Sequence, residues 1–205
     1  MQRLLFVFLS SMVFLLAGCS QPPKVINNAC DILSLHPTWY RYHVHFAHKY
    51  SVPIPTVMAI IALESGFNPQ ARPVKSWLVK NYIPWEYASS SYGYSQATNA
   101  AWNDFQRANP YSIYTRGDYV SSVAFISWYL STYAVSKGKM RVDEQYIIYH
   151  DGPNKEAHAI APATRNYANK VLSLANTYEA QLRQCGYLSW SQMWLFGPLP
   201  SFAEY

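Results

Sequence analysis

Pro55-Thr56-Val57-Met58-Ala59-Ile60-Ile61-Ala62-Leu63-Glu64-Ser65-Gly66-Phe67-Asn68-Pro69 is the most informative stretch of the chain. Pro55 suits a first helical position, where its missing N–H leaves nothing unpaired. Val57, Ile60, Ile61 and Glu64 then recur at spacings near one helical turn. Gly66 is a helix stop, and Pro69 lies beyond it. The apolar filling between Pro55 and Leu63 predicts a buried helix, with Glu64 closing it. Apolar neighbours disfavour the charged form of a carboxyl and raise its pKa. The partial negative charge at a helix C-terminus acts in the same direction. A carboxyl kept protonated near neutral pH is what protonating a glycosidic oxygen requires. Taken alone, these residues still favour a plain surface glutamate at a frayed helix end.

Outward from this segment the periodicity stays helical. Trp39 to Tyr50 carries Tyr40, Val44 and Ala47 at helical spacing. Asn99 to Arg107 is predicted as a short helix with Asn99 as its cap. Asp118 to Val135 is a strong helix, with Val120, Ala124, Ser127 and Leu130 near one face. Asp143 to His150 is shorter, with Asp143 as a cap candidate. Pro162 to Leu182 is the longest, with Tyr167, Val171, Leu174 and Tyr178 on one stripe. Arg72 to Ser91 breaks the pattern with two prolines, a run of serines and bulky aromatics, and is read as a long loop. No hairpin signal appears, so the expected fold class is mainly α.

Four short blocks resemble one family. Glu64-Ser65-Gly66-Phe67-Asn68-Pro69 resembles the Glu-Ser-x-Phe-Asn-Pro signature of the soluble lytic transglycosylase (SLT) family, within the lysozyme superfamily. Gly93-Tyr94-Ser95-Gln96 is similar to that family's Gly-Leu-Met-Gln. Tyr149-His150-Asp151-Gly152-Pro153 is similar to its Tyr-Asn-Ala-Gly-Pro. Thr164-Arg165-Asn166-Tyr167 is similar to its Glu-Thr-Arg-Asn-Tyr block. Each block alone is weak; four in family order, over about Trp39 to Leu182, are not. The resemblance implies a lysozyme-like (goose-type/SLT) helical domain with a glycan-binding cleft. It implies Glu64 as the single catalytic acid/base and Tyr167 as a tyrosine whose hydroxyl lies near the catalytic carboxyl. Ser65 would support the glutamate, and Gln96, with Gly93 and Tyr94 of the same block, would contact glycan. Tyr149 would line the cleft beside the scissile bond. A tyrosine on a helix stripe is otherwise usually core, which is the competing reading of Tyr149 and Tyr167.

Three features depart from the family pattern. The gap between Glu64 and Gly93 is about twice the usual one, so residues 72–91 are expected to form an insertion walling the cleft, with Trp77, Tyr82, Trp85 or Tyr87 contacting sugar. Tyr94-Ser95 replaces Leu-Met. His150 and Asp151 replace Asn and Ala, which removes an amide and adds a carboxylate.

The chain ends add a location. Residues 1–18 have a basic start, a short apolar run and small residues before Cys19, the pattern of a secretory signal. Leu16-Ala17-Gly18-Cys19 resembles the bacterial lipobox, which implies lipidation of Cys19 and attachment to a membrane. Ser20 after that Cys implies the periplasmic face of the outer membrane. Residues 19–30 would be the tether, 31–185 the SLT-like domain and 186–205 an aromatic tail. With Cys19 lipidated, Cys30 and Cys185 remain as an even pair in an oxidising compartment. A bridge between them would contribute on the order of 4–5 kcal/mol in the chain-entropy model; two buried free thiols are the other reading. No Cys/His spacing suggests a metal site, and no cofactor is expected. Lys and Arg number 16 of 205 residues and are scattered, which argues against nucleic acid as a partner. The 18 tyrosines offer apolar faces with polar edges, which suit sugar grooves as well as cores.

The implied reaction is cleavage of the β-1,4 bond between N-acetylmuramic acid and N-acetylglucosamine in peptidoglycan, with a 1,6-anhydro product. Two other readings stay open. One is a goose-lysozyme-like muramidase, in which Asp151, Glu86 or Asp104 would position a water. The other is a wall-binding or secretion-apparatus module that keeps the cleft without turnover. An envelope or secretion-machine partner is compatible with either the enzyme or the module.

Overall fold

A computed structural model describes residues 26–73 and 87–188. Among them the chain forms seven α-helices: α1 (Ala29–Leu35), α2 (Pro37–Tyr50), α3 (Ile54–Ser65), α4 (Asn99–Ala108), α5 (Tyr119–Tyr133), α6 (Val142–Asp151) and α7 (Pro162–Gln184). No β-strand occurs among the described residues; Tyr92 and Ala97 make an isolated antiparallel bridge. The mainly α architecture read from the periodicity is the one observed. Residues 1–25, 74–86 and 189–205 lie outside the described residues, so the signal segment, Cys19, Trp77, Tyr82, Trp85, Glu86 and most of the aromatic tail do too.

α3 is the central element. Every residue from Ile54 to Ala62 is buried, because a helix apolar on all sides has no face to offer water. It packs chiefly on α7, which also receives α6, while α2 lies against α5. The helix stops at Gly66, whose φ of +58° is left-handed and whose N–H returns to Ala62 O, a common C-terminal closure. Phe67 follows with φ +59°, a conformation that costs a non-glycine residue about 1 kcal/mol or more. Burial holds it there: Phe67 is fully enclosed, stacked near Trp39 of α2 and Tyr119 of α5.

Sequence reading missed α1. Asn28 caps it by accepting from the N–H groups of Cys30 and Asp31. Two cap assignments also move. Thr98, not Asn99, caps α4 through Ala101 N–H, and α6 starts after Arg141, with Asp143 inside its first turn. A disulfide joins Cys30 to Cys185 with a Cα separation of 6.3 Å. Around it the N-terminal segment is strapped to the end of α7: Gln181 accepts from Ala29 N–H at 2.9 Å and donates to Asn27 O at 3.0 Å, and the Tyr178 hydroxyl donates to Ile26 O.

Candidate active site

The C-terminus of α3 opens into a cleft of about 430 Å³. Glu64 lines it, together with Gln96, Ala97 and Thr98, with Tyr149, His150, Asp151 and Gly152 at the end of α6, and with Phe125 and Tyr129 of α5. Burial is the main influence on the Glu64 carboxyl and raises its pKa above the ordinary carboxylate value. Two weaker influences oppose it, a hydrogen bond from Tyr146 and the positive charge His150 can carry. The Tyr146 hydroxyl donates to Glu64 Oε1 at 3.0 Å. Tyr146 itself is buried, and burial together with the nearby Glu64 carboxylate pushes its phenol far up. It therefore keeps its proton and acts as a permanent donor.

This arrangement adds a tyrosine that sequence reading did not name beside Tyr167. The hydroxyl on the catalytic-candidate carboxyl belongs to Tyr146, whereas Tyr167 is 45% exposed and has Lys170 Nζ 5.0 Å above its ring. Tyr167 lies close enough to add to the upward shift of Tyr146. A signal for Tyr146 was present: Tyr146, Tyr149 and His150 are spaced i, i+3, i+4, so they share one helix face.

The remaining predicted site residues divide. Tyr149 lines the cleft and donates its hydroxyl to Ser95 O, and its phenol too is raised by burial and by Glu64. Gln96 lines the cleft as well, but its amide nitrogen is spent on the wall itself, donating to Ala71 O at 2.9 Å and Gly93 O at 2.8 Å. A glycan can therefore use only its carbonyl oxygen, since both N–H donors are taken. Ser65 donates to Ile61 O one turn back and does not line the cleft. Tyr94 is 5% exposed and packs edge-on against Trp39 and Tyr119. It is a core residue, because the tight turn at 93–96 sends its side chain inward while Gln96 faces the groove. Gly93 shapes that turn: φ is +73°, and a Cβ there would lie 2.6 Å from Arg116 O and 3.2 Å from Pro69 O.

The described ends of the insertion do reach the groove. Pro73, Ser89 and Ser91 line it, and Ala88 N–H donates to Pro73 O at 3.0 Å. Tyr87 instead lies beneath the Arg72 guanidinium, 4.7 Å from its ring centre. Arg116 braces this wall by donating to Ser90 O, Ala97 O and Asn99 Oδ1. Sequence reading gave Arg116 no role, since nothing in its neighbours marks a lysine or arginine that clamps carbonyls.

Asp151 is held. Its Oδ1 is 2.7 Å from His150 Nδ1 and accepts from the Thr164 hydroxyl at 3.3 Å. Asp104 pairs with Arg107 on the surface. Among the described residues no group of His, Cys, Asp and Glu is arranged to hold a metal ion.

Residues 7–185 match the Transglycosylase SLT domain family. The chain belongs to that family. No curated relative matches it. The SLT domain thus occupies nearly the whole described chain, including the late disulfide, and its lysozyme-like helical fold accounts for a buried helix ending in a glutamate at a groove. Membership in the SLT family connects this cleft with peptidoglycan.

Proposed function

We propose that the protein is a peptidoglycan lytic transglycosylase that cleaves the β-1,4 bond between N-acetylmuramic acid and N-acetylglucosamine, with Glu64 as its acid/base. The observation that carries this reading is a half-buried carboxyl at the wall of an open cleft, its pKa raised by desolvation and its oxygen held by one hydroxyl donor from Tyr146. Glu64 gives its proton to the glycosidic oxygen as the C1–O bond breaks. The muramoyl N-acetyl group stabilises the positive charge developing at C1. The C6 hydroxyl then attacks C1 and returns its proton to the Glu64 carboxylate, which leaves the enzyme as it began. No water enters, so the muramoyl product carries a 1,6-anhydro ring. Tyr146 serves both halves, since its O–H stabilises the carboxylate left after the first transfer.

A hydrolytic route needs a second carboxylate to hold water on the opposite sugar face. Asp151 is the other carboxyl lining the described cleft, and its engagement by His150 and Thr164 favours the single-carboxyl route. The mass of muropeptides released from purified sacculi tests the proposal. Anhydro ends, lighter by one water than hydrolytic ends, are the expected result. Hydrated ends would replace it with a muramidase, and no release at all would leave a wall-binding module.

The setting proposed for this activity is the cell envelope, with the chain exported, lipidated at Cys19 and facing the periplasm from the outer membrane. The Cys30–Cys185 disulfide supports an oxidising compartment.

A further inference from the structure

Arg72 opens the insertion at the rim of the groove, and the reaction just described does not use it. Its backbone is pinned on both sides. Ala71 O accepts from Gly93 N–H at 3.0 Å and from the Gln96 amide at 2.9 Å, and Pro73 O accepts from Ala88 N–H at 3.0 Å. Gln96 and Pro73 both line the groove, so Arg72 stands between two points of its wall. The residue is exposed, and rings hold its side chain. The guanidinium carbon lies 4.7 Å from the ring centre of Tyr87 and 4.4 Å from that of Tyr92, within the range of cation–π attraction.

A ring engages the face of a guanidinium and leaves its edge, a planar fork of N–H donors, for another partner. Among the described residues no carboxylate pairs with Arg72. Arg116, 5.9 Å from the Tyr92 ring centre, brings a second positive charge. Its own fork is already used, on Asn99 Oδ1, Ser90 O and Ala97 O. Asp118, two residues further on, accepts from the N–H and the hydroxyl of Ser121 at 2.8 and 2.9 Å, so it is engaged at the start of α5. The two cations feel each other: after burial, the Arg72 charge is the next influence that lowers the Arg116 pKa. A carboxylate on the open edge of Arg72 would be attracted by both and would relieve their repulsion.

We propose that Arg72, stacked on Tyr87 and Tyr92 and reinforced by Arg116, binds a carboxylate of the stem peptide carried by N-acetylmuramic acid. The inference rests on peptidoglycan as the ligand of the groove. Neither arginine is among the described residues that line the groove, which suits a group that leads away from the sugar ring. A peptide extends about 3.3–3.6 Å per residue, so a stem of a few residues easily covers the step of about 3.8 Å along the chain from Pro73 to Arg72. The stacked fork also supplies direction, since a planar guanidinium meets a carboxylate edge to edge. The two sugars alternate along a strand and only the muramoyl units carry stems. One fixed anchor at the rim therefore selects the register in which a muramoyl unit, and not its neighbour, faces Glu64.

The test measures binding and not turnover, on the full chain carrying Glu64→Gln so that strands stay intact. The ligands are soluble stem-bearing glycan strands and the same strands with their carboxylates converted to amides, which keeps size and removes charge. The muramoyl lactyl group is already in amide linkage to the stem in both, so the two ligands differ in the stem alone. Untreated strands should bind about twofold to fivefold more tightly than amidated ones at low salt, the range for one exposed ion pair, and the preference should fade as salt rises. Adding Arg72→Gln should bring the preference to about one, and adding Arg72→Glu should drive it below one. Both substitutions take the guanidinium off the two rings. Equal losses of affinity for both ligands in both variants, with the preference kept, would make Arg72 a packing residue and overturn the proposal. Binding of both ligands with no preference before Arg72 is changed would overturn it too, and would leave the peptidoglycan reading of the groove in place. Failure to bind either ligand would remove that reading and this proposal with it.

Discussion

Tyr146 donates its hydroxyl to Glu64 from another helix, 82 residues further along the chain, at 3.0 Å. A phenol pushed far up by burial beside a carboxyl raised by burial is a fixed donor facing a variable acceptor. The hydrogen bond strengthens when Glu64 ionises, so it contributes most after the proton has been given away.

Removing that donor should therefore slow the reaction without unfolding the protein. Tyr146→Phe is expected to lower turnover of sacculi about tenfold to a hundredfold, the range for one hydrogen bond to a charged group. The bond lowers the Glu64 pKa, so the limb of the pH–rate profile belonging to Glu64 should move to higher pH. Tyr167→Phe should stay close to wild type. Equal losses in the two variants would restore Tyr167 to the site.

Glu64→Gln keeps the size of the side chain and removes the transferable proton. Acid/base assistance is worth about 10²–10⁴ in rate, and one group serves both steps, so the loss should reach the upper part of that range. Stability should move the other way. A raised carboxyl pKa means the folded state holds a proton that the unfolded state releases, so folding is penalised as pH rises above the ordinary value of 4.5. The melting temperature of Glu64→Gln should match wild type below that value and exceed it increasingly toward neutral pH. A variant that melts lower at every pH would make Glu64 a structural residue.

His43 should shape the acid limb of stability. It is 1% exposed, its Nε2 is 2.8 Å from the Tyr119 hydroxyl, and burial lowers its pKa from 6.5 to about 3. The unfolded chain takes up this proton before the folded one does. Stability from a neutral His43 is thus fully present above pH 6.5 and drains away as pH falls toward 3. Denaturant titrations of wild type and His43→Gln between those limits should show a shallower pH slope in the variant, by up to about one proton. Parallel slopes would mean that His43 does not exchange its proton on unfolding.

Cys19→Ala should block lipidation and leave the chain soluble or unprocessed after export. Fractionation and intact mass are the measurements. Membrane association and processing unchanged from wild type would rule the lipobox out.

The fold was largely legible because α3 is apolar on every side and α7 carries a stripe, although that stripe is buried at Ala168, Val171, Ala175, Tyr178 and Leu182 and not at the expected Tyr167 or Leu174. Glu64 was legible through its block, not through its chemistry, since a glutamate after the seven apolar residues Val57 to Leu63 also fits a frayed end. Tyr94 and Gln96 sit two apart in a turn where no helical or strand period applies, so sequence could not tell which faced the groove. For Tyr146 the i, i+3, i+4 spacing marked a shared helix face but not what that face meets: its role rests on a hydrogen bond to the end of α3, far away in the chain. Arg116 likewise reaches carbonyls, which leave no trace in residue type.

The Cys30–Cys185 disulfide also decides how the molecule would bear load. If a lipid anchor holds the N-terminal end while anything pulls on residues beyond Cys185, tension runs along the short strap to Cys30, across the sulfurs and out again. The chain between them, cleft included, hangs outside that path as an unstressed loop. A protein working on a wall under turgor could be tugged at its ends without the groove being drawn open. Stretching single molecules from their termini should then give little extension until a thiol reductant is added, and a full-length unravelling afterwards.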